Sequence, residues 1–325
     1  MNKYKTRNVK VAVGIDMGGT KIKLGLIREG AIIAQSSLAA SSHINLIARL
    51  AEIADKVDEM LAENNAEPTG IGIAFPGIID STRYKVLSKY VKYPDSQGVN
   101  FSRWAIERWN IPVALENDAK AALIGEWQFG NGRGSNNLLL ITLGTGVGSA
   151  VMIDGRLLSG RNFTAGNLGG HMTINVHGKV CNCGNIGCVE TEGSTWALAD
   201  QVKNAPDYTD SSLSKESNID FKHLFTHAAN GDRLAQQVQD KCLKTWSLGI
   251  INLIHAFDPD RVVIGGGIME SHHILLPYIH WMITRHSWVK DNPPELVAAA
   301  HPQTAGMLGM YHLLIQGKKT LTSIL

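Results

Sequence analysis

The sequence has no run of 18 apolar residues, the length a helix needs to cross a bilayer. Its apolar stretches, such as residues 138–141, are strand-sized. No apolar segment follows the polar, basic residues 1–10, so a secretory signal is not expected. Charge is scarce: 18% of residues are Asp, Glu, Lys or Arg, against roughly 25% in an average soluble domain. That excludes a disordered or supercharged chain. Neither sign is in excess. Lys and Arg number 31, Asp and Glu 29, for a net charge of +2. Such a balance leaves no electrostatic footprint for nucleic acid or an anionic membrane. Cysteine is rare too, four in 325 residues, yet Cys181, Cys183 and Cys188 fall within eight residues. That clustering points to a metal before a disulfide. A cytoplasmic protein with no membrane or nucleic-acid partner is expected.

What is present is a large apolar fraction, 44% over 325 residues, enough for two domains with sizeable cores. Glycine is in excess, 33 residues, about a tenth of the chain where roughly 7% is usual. Segments 10–16, 22–28 and 31–36 read as three short strands, with turns at Gly18-Gly19 and Glu29-Gly30. Ile44, Ile47, Leu50, Ile53, Ala54, Val57, Met60 and Leu61 recur at helical spacing, which predicts a helix over 43–64 capped by Ser42. A strand over 70–75 ends at Pro76-Gly77. A helix over 101–109 follows Asn100, and a strand over 111–115 leads to a helix over 119–128. The second part opens as the first does. Strands over 137–142, 149–154 and 156–159 turn at Gly144-Thr145-Gly146 and Gly155. Residues 15–20 and 141–146 thus echo each other at a spacing of about 126, too long for a solenoid. Two related α/β domains are expected, over 1–128 and 129–304. The Gly/Asn/Ser-rich stretch 129–137 would be the hinge, and a closing helix from 305 would pack back on the first domain. A long helix over 234–257 and a strand over 261–264 complete the outline.

Three glycine turns lie at strand ends: Asp16-Met17-Gly18-Gly19-Thr20-Lys21, Gly144-Thr145-Gly146 and Gly265-Gly266-Gly267. Glycines let backbone N–H groups approach phosphate oxygens, and Asp16 can hold magnesium directly or through water. One such turn can be a plain hairpin; three argue for a nucleotide between two domains. None has Walker A spacing. Glu116-Asn117-Asp118 closes a strand and opens a helix. A carboxylate there can orient a hydroxyl and take its proton; the plainer alternative is an N-cap. Cys181-x-Cys183-Gly184-x-x-Gly187-Cys188 offers three thiolates to one zinc ion. His171 and Cys242 compete to be the fourth ligand, with His171 nearer in sequence.

Together these motifs resemble the ROK family of repressors and sugar kinases, over nearly the whole chain. The landmarks, in order, are DMGGTK, FPG at 75–77, END at 116–118, LGTGVG at 143–148, GGHM at 169–172, CNCGNIGC at 181–188 and GGG at 265–267. The resemblance implies a two-domain, actin-like (ribonuclease H-like) ATPase fold with a ligand cleft, and an ATP-dependent hexose kinase acting at O6. Asp118 would be the base. Gly77, Asn117, Asn167, His171 and Glu190 would meet the sugar, and the three glycine turns would bind Mg-ATP. Structural zinc would sit on His171, Cys181, Cys183 and Cys188, and a homodimer is implied. One departure stands out. The family's Gly-Glu-x-Gly-His is here Gly166-Asn167-Leu168-Gly169-Gly170-His171. Without a gap Leu168 takes the Glu position; with one extra glycine Asn167 does. The alternative is a sugar-sensing regulator. Repressors of the family carry an N-terminal winged helix; with about ten residues before the first strand, none is expected here.

Overall fold

The computed structural model describes residues 8–40, 45–89 and 93–322, with side chains through residue 317. Ser42 lies outside the described residues. The chain divides into two compact units. The first is Met1–Phe129 with Arg161–Phe163 and Thr304–Leu325; the second is Gly130–Gly160 with Thr164–Gln303. Residues 161–163, inside the span read from sequence as the second domain, therefore group with the first unit.

The first unit begins with a meander, β1 (Val9–Met17), β2 (Lys21–Arg28) and β3 (Ala31–Ala39). Glu29 and Gly30 turn the second hairpin, both with positive φ (52° and 81°), as a two-residue turn matched to strand twist requires. Helix α1 (Leu46–Glu63) follows, capped by Asn45, whose Oδ1 accepts from the Ala48 N–H at 2.9 Å. Its buried face (Leu46, Leu50, Ile53, Val57, Met60, Leu61) joins the core of the first sheet. Strand β4 (Ala66–Phe75) starts four residues earlier than its apolar run. Pro68 sits where the β1–β4 register shifts, a position that spares a strand proline its missing donor. Short strands β5 (Ile79–Asp80) and β6 (Lys85–Val86) precede α2 (Phe101–Trp109), then β7 (Val113–Asn117) and α3 (Asp118–Phe129). The sheet order is β3-β2-β1-β4-β7, with β1, β4 and β7 parallel.

In the second unit β8 (Leu138–Leu143), β9 (Val147–Ile153) and β10 (Arg156–Leu157) repeat the meander. Helices α4 (Val189–Gly193), α5 (Thr195–Lys203), α6 (Phe221–Ala229) and α7 (Arg233–Phe257) follow. Strand β11 (Arg261–Gly265), helix α8 (His272–His286) and strand β12 (Glu295–Ala298) complete it. The order β10-β9-β8-β11-β12 is that of the first sheet. Trp246 of α7 is 1% exposed in its core. Helix α9 (Ala305–Thr322) belongs to the first unit and packs on α3, β1 and β4. At Gly309 an added Cβ would fall 1.8 Å from the Ala121 carbonyl oxygen, so the α3–α9 contact needs glycine.

The stretch expected to be a hinge is tied down from residue 131 onward. Asp260 accepts from the N–H groups of Asn136 (3.3 Å) and Asn137 (3.2 Å) and from the Ser135 hydroxyl. Arg261 donates to the carbonyls of Asn131 (2.9 Å) and Arg133 (2.8 Å). The start of the stretch, between Phe129 and Gly130, is a boundary between the two units.

Candidate active site and cysteine cluster

In the first unit the β7–α3 junction gathers Gly77, Asn117 and Asp118. Asn117 caps α3, its Oδ1 accepting from the Lys120 N–H at 3.1 Å. The same amide donates to the Gly77 carbonyl and to Asp118 Oδ1, both at 3.0 Å. Asp118 Oδ1 also accepts from the Ala119 N–H at 2.9 Å. Two donors on one oxygen fix the plane of the carboxylate. Gly77 turns away from β4 at φ 104°, a conformation that favours glycine.

Behind this turn lie two buried charged residues, Glu116 of the motif and Lys120, which sequence inspection passed over. Glu116, 4% exposed, accepts from the Asn117 N–H at 2.8 Å, and burial pushes its carboxyl up. Lys120, 1% exposed, donates to the Phe163 carbonyl at 3.1 Å, and burial pushes its ammonium down. Each works on the other as a counter-charge.

Asp16 is the last residue but one of β1. Burial, with a contribution from Asp118, raises its carboxyl to about 6 against the opposing pull of Lys23. Lys23 is its cross-strand partner, with Nζ 3.9 Å from Oδ2. Gly18 and Gly19 are half-buried, while Thr20 and Lys21 are exposed. The ammonium that faces Asp16 is thus Lys23, not the Lys21 of the motif. A buried carboxylate with a second one near it is a donor set that suits a hard cation.

The second unit holds the other candidates. Gly266, at φ 93°, lies so close to β8 that an added Cβ would be 2.1 Å from the Leu143 carbonyl oxygen. This brings the Gly265-Gly266-Gly267 turn beside the Gly144-Thr145-Gly146 turn. Glu190, in the first turn of α4, accepts from the Val147 N–H at 2.9 Å and from Trp196 Nε1 at 3.4 Å. At Gly146 a Cβ would meet its carboxylate at 2.4 Å.

Residues 166–170 are clasped by Ser149, which donates to the Gly166 carbonyl and accepts from the Gly169 N–H, both at 2.8 Å. Gly170 has no room for a Cβ, which would fall 1.8 Å from the Val147 carbonyl oxygen. Asn167 is 8% exposed and Leu168 is 39% exposed. Asn167 Oδ1 is buried and accepts no hydrogen bond among the described residues.

His171, Cys181, Cys183 and Cys188 place one ligand atom each within 4.8 Å of one another. His171 Nδ1 is 3.7 Å from Cys181 Sγ, and Cys183 Sγ is 3.7 Å from Cys188 Sγ. Zn–S bonds of about 2.3 Å in a tetrahedron require edges near 3.8 Å, so the donor set fits zinc. Burial opposes ionisation of Cys181, but hydrogen bonds from the Cys183 N–H and from His171 help to outweigh it and bring the thiol to about 7. Burial and the other two cysteines push Cys188 up. Three crowded thiols ionise together only around a cation. Cys242 is fully buried in the apolar core on α7, outside the cluster.

Two five-stranded sheets of one strand order, each opening in a hairpin meander with a glycine turn, define the two-domain, actin-like ATPase fold. The chain belongs to the ROK family, whose model matches residues 12–317. It is 33% identical over 309 residues to a glucokinase of Thermotoga maritima, covering 91% of this chain and 95% of that protein. Among solved structures it is similar to a ROK glucokinase from Streptomyces griseus in complex with glucose and AMPPNP (29% identity, TM-score 0.77, 94% of this chain and 99% of that one). It is also similar to a ROK transcriptional regulator, a homolog of E. coli MLC (27% identity, TM-score 0.79, 95% and 79% of the two chains). Among the described residues no helix is long and apolar enough to cross a membrane.

Proposed function

We propose that this protein is an ATP-dependent hexose kinase that phosphorylates O6 of a glucose-like or N-acetylhexosamine-like sugar. Sugar kinase activity follows from full-length likeness to glucokinases; the roles below are our assignment. The Asn117–Asp118–Gly77 junction supports it most directly. Asp118, oriented by the Asn117 amide and the Ala119 N–H, takes the proton of the sugar hydroxyl. The freed oxygen attacks the γ-phosphate of Mg-ATP, a P–O bond to the sugar forms, and ADP leaves with the electrons of the broken bond. Gly77, Asn117, Asn167, His171 and Glu190 bind the sugar. Asp16 holds magnesium, and Gly18, Gly19, Thr20 and Lys21 with the two glycine turns of the second unit bind ATP. We expect a homodimer.

His171, Cys181, Cys183 and Cys188 would hold zinc. With four protein ligands zinc supplies no open position for chemistry and closes the loop. Metal analysis of purified protein should give one zinc per chain. Cys183→Ala should lose the metal and melt at lower temperature; a zinc-free wild type of full stability would reject the site.

A coupled assay with ATP over a panel of hexoses tests the activity. One observation favours a second reading, a sugar-binding regulator. The carboxylate of the Gly-Glu-x-Gly-His pattern is absent, with Asn167 and Leu168 in its place. Saturable sugar binding without transfer to any hexose would choose that reading.

A further inference from the structure

Helix α5 has an unusual start. Its N-cap, Ser194, makes no side-chain capping bond, and the first N–H groups of a helix need acceptors from outside it. They find them in the β8–β9 turn. The Thr195 N–H donates to the Gly144 carbonyl at 3.1 Å and the Thr195 hydroxyl to the same oxygen at 2.9 Å. The Trp196 N–H reaches the Thr145 carbonyl at 3.4 Å. On the far side of the turn, Glu190 takes the Val147 N–H. The turn is therefore held by its carbonyls on one flank and by Val147 on the other. The Gly144 N–H is used inside it, on the Gly146 carbonyl at 3.0 Å. The N–H groups of Thr145 and Gly146 find no acceptor among the described residues. A turn whose carbonyls are tied back and whose successive N–H groups are unspent is a cradle for an anion.

We infer that Thr195 is a positioning residue for the nucleotide: it fixes the Gly144–Gly146 turn so that the Thr145 and Gly146 N–H groups meet a phosphate of ATP. The inference rests on the kinase assignment for the identity of the anion. Thr195 does not touch the nucleotide. It acts through the Gly144 carbonyl, to which its backbone and side chain both donate. The backbone bond persists in any non-proline variant, so the hydroxyl can be tested alone. Glu190, on the opposite flank, is shared with the sugar in the assignment above.

The experiment compares wild type, Thr195→Val and Thr195→Ser. Valine keeps the shape of threonine and removes the donor, while serine restores the donor without the methyl. Binding of AMPPNP is measured by calorimetry, alongside KM for ATP and for the preferred hexose. Loss of one neutral hydrogen bond should weaken AMPPNP binding and raise KM for ATP about fivefold to tenfold in Thr195→Val. KM for the sugar and zinc content should stay within about twofold, and Thr195→Ser should recover most of the loss. Equal AMPPNP affinity in wild type and Thr195→Val overturns the inference, as does a parallel rise in both KM values. A wild type that binds no AMPPNP overturns it too. If wild type binds AMPPNP but phosphorylates no hexose, the kinase assignment fails, and the calorimetric difference between the variants still decides the role of Thr195.

Discussion

The two units share one strand order and differ in the groups that surround their first turn. Both sheets run meander strands three-two-one, then two parallel strands. Both second hairpins turn on two residues of positive φ, Glu29-Gly30 in one and Asp154-Gly155 in the other. The first hairpins differ. In the first unit a carboxylate, Asp16, stands at the strand end with Asp118 close enough to raise it. In the second unit the turn residues carry no charge of their own: the Gly144 and Thr145 carbonyls are bound by α5, and Glu190 of α4 accepts the Val147 N–H beside them. Under the proposed assignment, one supersecondary device would hold a cation in the first unit and an anion in the second. The distinction comes from what packs behind each turn.

The sharpest way to break this division is to remove a charge from the first unit. Asp118→Asn keeps an oxygen to accept from the Ala119 N–H and the Asn117 amide, but it cannot take a proton. The turnover number should drop about 10²–10⁴-fold with sugar affinity largely kept. A kcat near that of wild type removes Asp118 from the chemistry.

Asp16→Asn should act on activity and stability in opposite directions. With magnesium coordination weakened, KM for Mg-ATP should rise about tenfold or more. The folded carboxyl titrates near 6 against a reference value of 3.8. The folded state therefore binds that proton more tightly. The resulting stabilisation is full below about pH 4 and is lost as pH rises through 6. The variant should gain in melting temperature over wild type at pH 7.5 and gain less at pH 5. A difference that does not change with pH would show that Asp16 carries no such strain.

The smallest effect is expected in the second unit, at Asn167. Asn167→Ala should raise KM for the true sugar about tenfold and leave zinc content unchanged. Comparing kcat/KM over glucose, mannose, allose, N-acetylglucosamine and N-acetylmannosamine gives the specificity. An amide both donates and accepts, so we expect a preference shifted from plain glucose at C2 or C3. A variant equal to wild type on every sugar would hand the position to Leu168.

Local signals were legible in the sequence. Helix α2 runs over the residues its pattern predicts, from Phe101 to Trp109 behind the Asn100 cap. The glycine turns lie at strand ends, as the apolar runs foretold. Helix α1 starts at an Asn45 cap, and β4 hid its first residues behind Glu67-Pro68-Thr69, a polar run that a bulge accommodates. Helix α8 and strand β12 went unread because their short or all-round apolar patterns give no clear period. In the candidate site, what escaped is what depends on distant partners. Lys23 faces Asp16 only once β1 and β2 pair, Lys120 meets Phe163 across 43 residues, and Thr195 meets Gly144 across 51. None has a local spacing to announce it.

The place of α9 bears on how the chain is born. The first unit is not closed by its own leading 129 residues; α9, which covers α3 and the β1 and β4 face, comes about 175 residues later. At a synthesis rate of roughly 5–20 residues per second, the ribosome needs about 10–35 s to deliver it. During that interval the apolar surface that will seat Met307, Leu308 and Met310 has no cover of its own. The first unit can complete its core only after the whole of the second has been made.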